Sequence, residues 1–160
     1  MCNLAEKIKT MLQPGDIFLS RNPGGDLANL TVGYWNHLGI YCGIINNSVI
    51  EAQEKWGVIE TKLPDYIDKY ARLKIIRLDD AKGLEMANHA ITFIGTPYRR
   101  LASLFVFLRP RTRGENCVSL MRKIYKDVNG QDPRWRIPDN ILEDDHEQIL
   151  ELDLLDENLQ

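Results

Sequence analysis

The run from Asn36 to Ile45, Asn-His-Leu-Gly-Ile-Tyr-Cys-Gly-Ile-Ile, constrains the fold more than any other stretch of the chain. Two-residue alternation puts His37, Gly39, Tyr41 and Gly43 on one face of a strand and Leu38, Ile40, Cys42 and Ile44 on the other. Cys42 reads as core. Asn46-Asn47 is a tight-turn signal, and Ser48 to Gln53 reads as the returning strand of a hairpin. That return carries Glu51 between Val49-Ile50 and Ala52, where a buried carboxylate needs a partner. The hairpin makes His37 and Glu51 candidates for neighbouring strands, able to meet if the register allows. Two other readings stay open: a structural histidine, and a Glu51 paired with a lysine or arginine.

Other elements follow by the same signals. Leu4 to Leu12 reads as a short helix stopped by Pro14-Gly15, and Asp16 to Ser20 as a first strand. Gly57 to Lys62 and Leu73 to Leu78 read as two further strands, with Leu63-Pro64-Asp65-Tyr66 opening a helical segment between them. Ala81 to Ile94 has helical spacing, with Leu84, Ala87, Ile91 and Ile94 on one face, His89 on the opposite polar face as a solvated residue, and Gly95 as the stop. Pro138-Asp139 can start a last short helix. The acidic end, Glu143 to Gln160, carries His146 as a surface residue and reads either as a packed strand or as a tail.

Composition narrows the class. At 160 residues the chain suits one compact domain, spanning 1–160 with 143–160 as an acidic extension. A net charge of −3 argues against general nucleic-acid binding. The arginines at 99, 100, 109, 111 and 113 lack the aromatic interleaving of a nucleic-acid patch, and read either as a solvated basic loop or as an anion pocket. Cys2, Cys42 and Cys117 are an odd set without CxxC spacing, so neither a disulfide framework nor a zinc ribbon is expected, and no metal or cofactor. Pro23-Gly24-Gly25 lacks the residues of a phosphate loop. Met1 to Gln13 has no signal-peptide core, no apolar run is long enough for a membrane span, and cytoplasmic residence is the default expectation. Leu104 to Leu108 is short enough to be core or a groove wall.

Cys117 stands at the start of an amphipathic helix, since Leu120, Met121, Ile124 and Val128 recur at three- and four-residue steps after it. Gly114 and Asn116 supply a turn and an N-cap. A thiol in the first helical turn sits at the positive end of the helix dipole, which stabilises its thiolate. Read alone, it is equally a small buried hydrophobe. A cysteine nucleophile also needs a base, and the base a third group to orient it. Of the three histidines only His37 lies in a strong structural element.

Taken together, Pro14-Gly15-Asp16-Ile17, Trp35-Asn36-His37-Leu38-Gly39-Ile40-Tyr41, Val49-Ile50-Glu51-Ala52, Gly57-Val58, Gly95-Thr96-Pro97-Tyr98 and Asn116-Cys117-Val118-Ser119-Leu120 form a recognisable series. Their order resembles the circularly permuted NlpC-type papain-like cysteine hydrolases, the YiiX-like group, over Pro14 to Asn140. In that group the histidine strand precedes the cysteine helix. The resemblance implies Cys117 as nucleophile, His37 as base and Glu51 as the orienting third member. Tyr98 matches the family's Pro-Tyr position near the cleft. Asn116 stands beside the thiol, where the family often has tyrosine or serine. Tyr98, Asn116 and Arg113 are the expected substrate contacts, Arg113 because an arginine-rich mouth suits a substrate carboxylate.

The expected fold is α+β and permuted papain-like, an antiparallel sheet or partial barrel packed against the helix headed by Cys117. The expected reaction is acyl transfer to water: thiolate attack on an amide or ester carbonyl, an acyl-enzyme, then hydrolysis. The resemblance points to a small peptide or acyl substrate, with an amide of the peptidoglycan-peptide type as the leading expectation. Two alternatives stand beside it. One is a lipid acyltransferase or thioesterase resembling the lecithin:retinol acyltransferase relatives, and the other a non-catalytic binding module on the same scaffold.

Overall fold

The computed structural model describes residues 2–22, 33–43, 47–79, 81–98 and 115–154. Asn46, the Pro23-Gly24-Gly25 turn, Leu104 to Leu108, Gly114 and the whole arginine cluster, Arg113 included, lie outside the described residues.

Within them the chain runs α1 (Cys2–Lys9), β1 (Ile17–Arg21), β2 (His37–Tyr41), β3 (Ser48–Gln53), β4 (Gly57–Lys62), α2 (Leu63–Lys69), β5 (Arg72–Leu78), α3 (Gly83–Ile91), α4 (Cys117–Asn129), a 3-10 helix (Pro138–Glu143) and β6 (His146–Asp153). The strands form one antiparallel sheet in the order β4-β3-β2-β1-β5-β6. It is an open sheet rather than a partial barrel, with β4 and β6 as its edges. Of the two readings of the acidic end, residues 146–153 take the strand: β6 pairs along the whole of β5.

Strand alternation gives the sheet two apolar faces. Ile17, Leu19, Leu38, Ile40, Ile50 and Ile76 pack with residues of α3 and α4, while Phe18, Tyr41, Val49, Leu73 and Ile75 pack with residues of α1 and α2. Helices therefore cover both sides. Cys42 is buried on the α3 side, where its thiol donates to the Ala87 carbonyl at 3.3 Å. No described helix is long and apolar enough to cross a membrane.

The helix expected over Ala81 to Ile94 is shorter, and its buried face differs from the expected one. Met86, Ala87, Ala90 and Phe93 are buried, whereas Leu84, Ile91 and Ile94 are exposed. The reason is distance. Gly15, at φ +97°, lies so close to the start of α3 that a Cβ on it would come within 2.2 Å of the Gly83 Cα. With Gly83 seated against Gly15, the helix face that turns inward is the one that continues from Gly83 through Met86, Ala87 and Ala90, and Leu84 and Ile91 turn to solvent. His89 is half-exposed and pairs with Asp127 on α4 at 3.0 Å. His146 bonds only the nearby Asp144 carbonyl, at 2.8 Å.

Asp16, in the Pro-Gly-Asp-Ile segment, serves the fold. Its buried carboxylate accepts two bonds from Arg77, at 2.8 and 2.9 Å, and one from the Gln13 amide at 2.7 Å.

Candidate active site

The site forms where the start of β2 meets the start of α4. Asn116 has the extended backbone of an N-cap, and its side-chain oxygen accepts the Ser119 amide at 2.7 Å. Ser119 Oγ accepts the Asn116 amide at 2.8 Å in return, completing a capping box. That cap fixes the first turn of α4, and with it Cys117. The thiol lies beside the His37 side chain, and the Leu38 and Val118 amides are near enough to favour its thiolate.

His37 Nε2 lies 2.9 Å from Glu51 Oε2, which leaves Nδ1 for the sulfur. Gly39 is the residue directly opposite Glu51, so His37 reaches the carboxylate along the diagonal of the ladder. Glu51 is wholly buried. Its Oε1 accepts from Thr61 at 2.5 Å, Lys69 at 2.6 Å and Gln53 at 2.8 Å, and its Oε2 from Tyr70 at 3.1 Å as well as His37. The lysine partner expected of a buried Glu51 and the histidine partner are thus both present. Tyr70 also stacks on the imidazole, with centroids 5.5 Å apart and planes 20° from parallel.

The electrostatics follow from these contacts. Burial pushes the Cys117 thiol up, but the hydrogen bond and charge of His37, with the Leu38 and Val118 amides, outweigh it and bring the thiol below its ordinary value. Burial alone would lower His37. Hydrogen bonds to Cys117 and Glu51, and their negative charges, overcome this and raise the imidazole to about 9. Burial would raise Glu51 too, yet its bonds to His37, Lys69 and Thr61 and the charge of His37 hold it well below the usual carboxylate range. These shifts both favour a thiolate at Cys117 beside a protonated His37. Cys42 is the contrast: burial first, then the charge of Glu60, pushes its thiol up to about 12.

Tyr98 bridges to Glu115 just before the cysteine helix, and burial followed by the charges of Cys117 and Glu54 pushes its phenol up to about 12. The structure thus brings together Cys117, His37, Glu51, Asn116 and Tyr98. The sequence reading passed over Thr61, Lys69 and Tyr70. Spacing holds a trace of them: Tyr66, Lys69 and Tyr70 share one face of a helix by three- and four-residue steps. Among the described residues no group of three or more His, Cys, Asp or Glu side chains is placed to hold a metal ion.

A sheet strand bearing the histidine, followed later in the chain by a helix headed by the cysteine, defines a papain-like fold in permuted order. The chain belongs to the permuted papain-like amidase enzymes, the YaeF/YiiX or C92 family, whose model matches residues 11–148. The crystal structure of metalloprotein yiiX from Escherichia coli O157:H7 is similar in fold, with a TM-score of 0.57 and 22% identity over 77% of this chain and 69% of that one. No curated protein matches the chain.

Proposed function

We propose that this chain is a cysteine amidase in which Cys117 is the nucleophile, His37 the acid and base, and Glu51 the group that orients His37. The observation that carries the reading is the unbroken contact row from the Cys117 sulfur through the imidazole to a buried carboxylate. The thiolate attacks the amide carbon, and the carbonyl electron pair moves to oxygen. The N–H of Cys117 itself, in the first helical turn where no preceding carbonyl is in register, is the natural donor to that oxyanion. Collapse breaks the C–N bond as the His37 imidazolium gives its proton to the departing amine. Neutral His37 then takes a proton from water, hydroxide adds to the thioester, and the acid leaves as the thiolate re-forms.

Membership in an amidase family favours amide substrates. Within that class a small peptide amide of the peptidoglycan type is the substrate proposed, with Tyr98 near the Cys117 sulfur. The lipid-acyl alternative rested on Leu104 to Leu108, outside the described residues, and no described feature favours it.

The test pairs iodoacetamide alkylation of Cys117 against pH with amine release from a panel of peptidoglycan-type peptides. A thiolate already reactive below pH 7, together with loss of hydrolysis in Cys117→Ala, is expected. A Cys117 that titrates like an ordinary thiol near about 8.5, or hydrolysis that survives Cys117→Ala, overturns the proposal.

A further inference from the structure

Cys117, His37, Glu51 and Lys69 form a row of four ionisable groups, each touching the next. With the first two as an ion pair their charges alternate: thiolate, imidazolium, carboxylate, ammonium. The first three alone would carry a net negative charge inside the protein, which is costly. Lys69 brings the row to neutrality. It comes from the last turn of α2, a different element from any that carries the other three, and its amine sits 2.6 Å from Glu51 Oε1 on the side of the carboxylate away from His37. The Tyr66 ring lies 5.9 Å from the same amine.

We propose that Lys69 is a positioning residue whose charge, acting through Glu51, sets the pH range over which Cys117 and His37 exist as thiolate and imidazolium. The inference rests on the reading of that pair as the reactive one. Around Glu51 the other groups are His37 from β2, Gln53 from β3, Thr61 from β4, Tyr66 and Tyr70 from α2, and Cys117 from α4. Among the described residues Lys69 is the only cation besides His37 that contacts Glu51. Thr61, Gln53 and Tyr70 hold the carboxylate by neutral hydrogen bonds and cannot replace its charge.

The sign follows from electrostatics. Without the ammonium, the thiolate loses a favourable positive charge nearby, so Cys117 deprotonates at higher pH. The imidazolium loses a repulsive one and faces an uncompensated carboxylate, so His37 also gives up its proton at higher pH. Both limbs of the reactivity profile move upward together. A residue that merely held α2 in place would change the amount of folded protein without moving either limb.

The experiment is the rate of iodoacetamide alkylation of Cys117 against pH in the full chain, for the wild type and for Lys69→Met, Lys69→Gln and Lys69→Arg. Lys69→Gln keeps a hydrogen-bond donor to Glu51 while removing the charge, and serves if Lys69→Met does not fold. The expected result is an upward shift of the thiolate limb by on the order of one pH unit in either neutral variant. Lys69→Arg should return the limb to within a few tenths of a unit of the wild type, about the reach of a preserved charge in altered geometry. A neutral variant that leaves the limb in place overturns the inference, as does an arginine variant shifted as far as the neutral ones. If the wild type itself alkylates as an ordinary thiol, the failure belongs to the proposed nucleophile and takes this inference with it.

Discussion

Gly39 stands directly opposite Glu51 in the ladder between β2 and β3, and its missing side chain is the space into which Tyr66 packs. A Cβ there would fall 2.6 Å from Val49 Cγ1 and 3.0 Å from Tyr66 Oη. Tyr66 in turn bonds Ser20 at 2.7 Å and lies 4.9 Å, ring to ring, from Tyr70. Gly39→Ala should therefore cost about 1–3 kcal/mol, the range of an overpacked core. Urea unfolding of the variant measures it, and an unchanged midpoint would show that Tyr66 has room to move.

Glu51→Gln should be harmful twice over. It leaves Lys69 without its carboxylate and turns one acceptor end into a donor facing donors, so a loss of about 3–5 kcal/mol is expected, as when one partner of a buried pair is removed. Activity of the protein that remains folded should fall by about 10²- to 10⁴-fold, the scale seen when the group orienting a catalytic histidine is changed. Hydrolysis normalised to folded fraction separates the two effects.

Tyr70 offers a finer dissection. Tyr70→Phe keeps the ring against His37 and removes the hydroxyl with its bond to Glu51 Oε2, a loss of about 0.5–1.5 kcal/mol. Tyr70→Leu removes both and frees the imidazole. Chemical-shift mobility of the His37 ring in NMR should increase in the leucine variant and stay low in the phenylalanine one.

The cap at Asn116 links helix stability to the thiol. Asn116→Ala should lower stability by about 0.5–2 kcal/mol through the lost bond to the Ser119 amide. Loosening that turn should also slow alkylation of Cys117 at pH 7, while Asn116→Ser, another good N-cap, should recover most of both.

Stability against pH carries a signature of the ion pair. Between about pH 6.5 and 8.5 the unfolded thiol is protonated and the unfolded imidazole is not. In the folded chain the imidazole is raised to about 9, and the hydrogen bond and charge of His37 hold the thiol below its ordinary value against the effect of burial. The raised imidazole makes stability fall with rising pH and the lowered thiol makes it rise, so the two oppose each other and the pair gives a shallower slope than His37 alone. As pH rises through 9 the folded imidazole deprotonates and its contribution is lost. On the acid side Glu51, held low, contributes stability that is present above about pH 4.3 and lost as pH falls through its folded value. Cys117→Ala removes the opposing thiol shift and also the partner that helps raise His37, so stability should decline with rising pH only as far as Glu51 alone still raises the imidazole, by at most about 1.4 kcal/mol per unit. Thermal melts across the range read this directly.

The β2–β3 hairpin, the cysteine helix and its cap were legible because each is written in local spacing: alternation in Asn36 to Gln53, helical steps after Cys117, an Asn-x-x-Ser box. The meeting of His37 with Glu51 was legible only as a condition on register, which the ladder meets through the diagonal past Gly39. The inward face of α3 was not legible, because hydrophobicity ranks leucine and isoleucine above alanine whereas the contact of Gly83 with Gly15 sets which face of the helix turns inward. Lys69 and Thr61 escaped for a related reason. A lysine ending a short helix and a threonine in an edge strand look solvated until β3, β4 and α2 close around one carboxylate.

The contact between Cys117 and His37 joins a helix from late in the chain to the start of a strand near its beginning, with β3, β4, α2, β5 and α3 lying between them in sequence. The acidity of the thiol is thus a property of the finished molecule. While the chain is being made, and whenever it unfolds, Cys117 reverts to a thiol titrating near about 8.5 that reacts sluggishly with whatever it meets. On the proposed reading, the chain therefore acquires its nucleophile only once the fold that joins α4 to β2 is assembled.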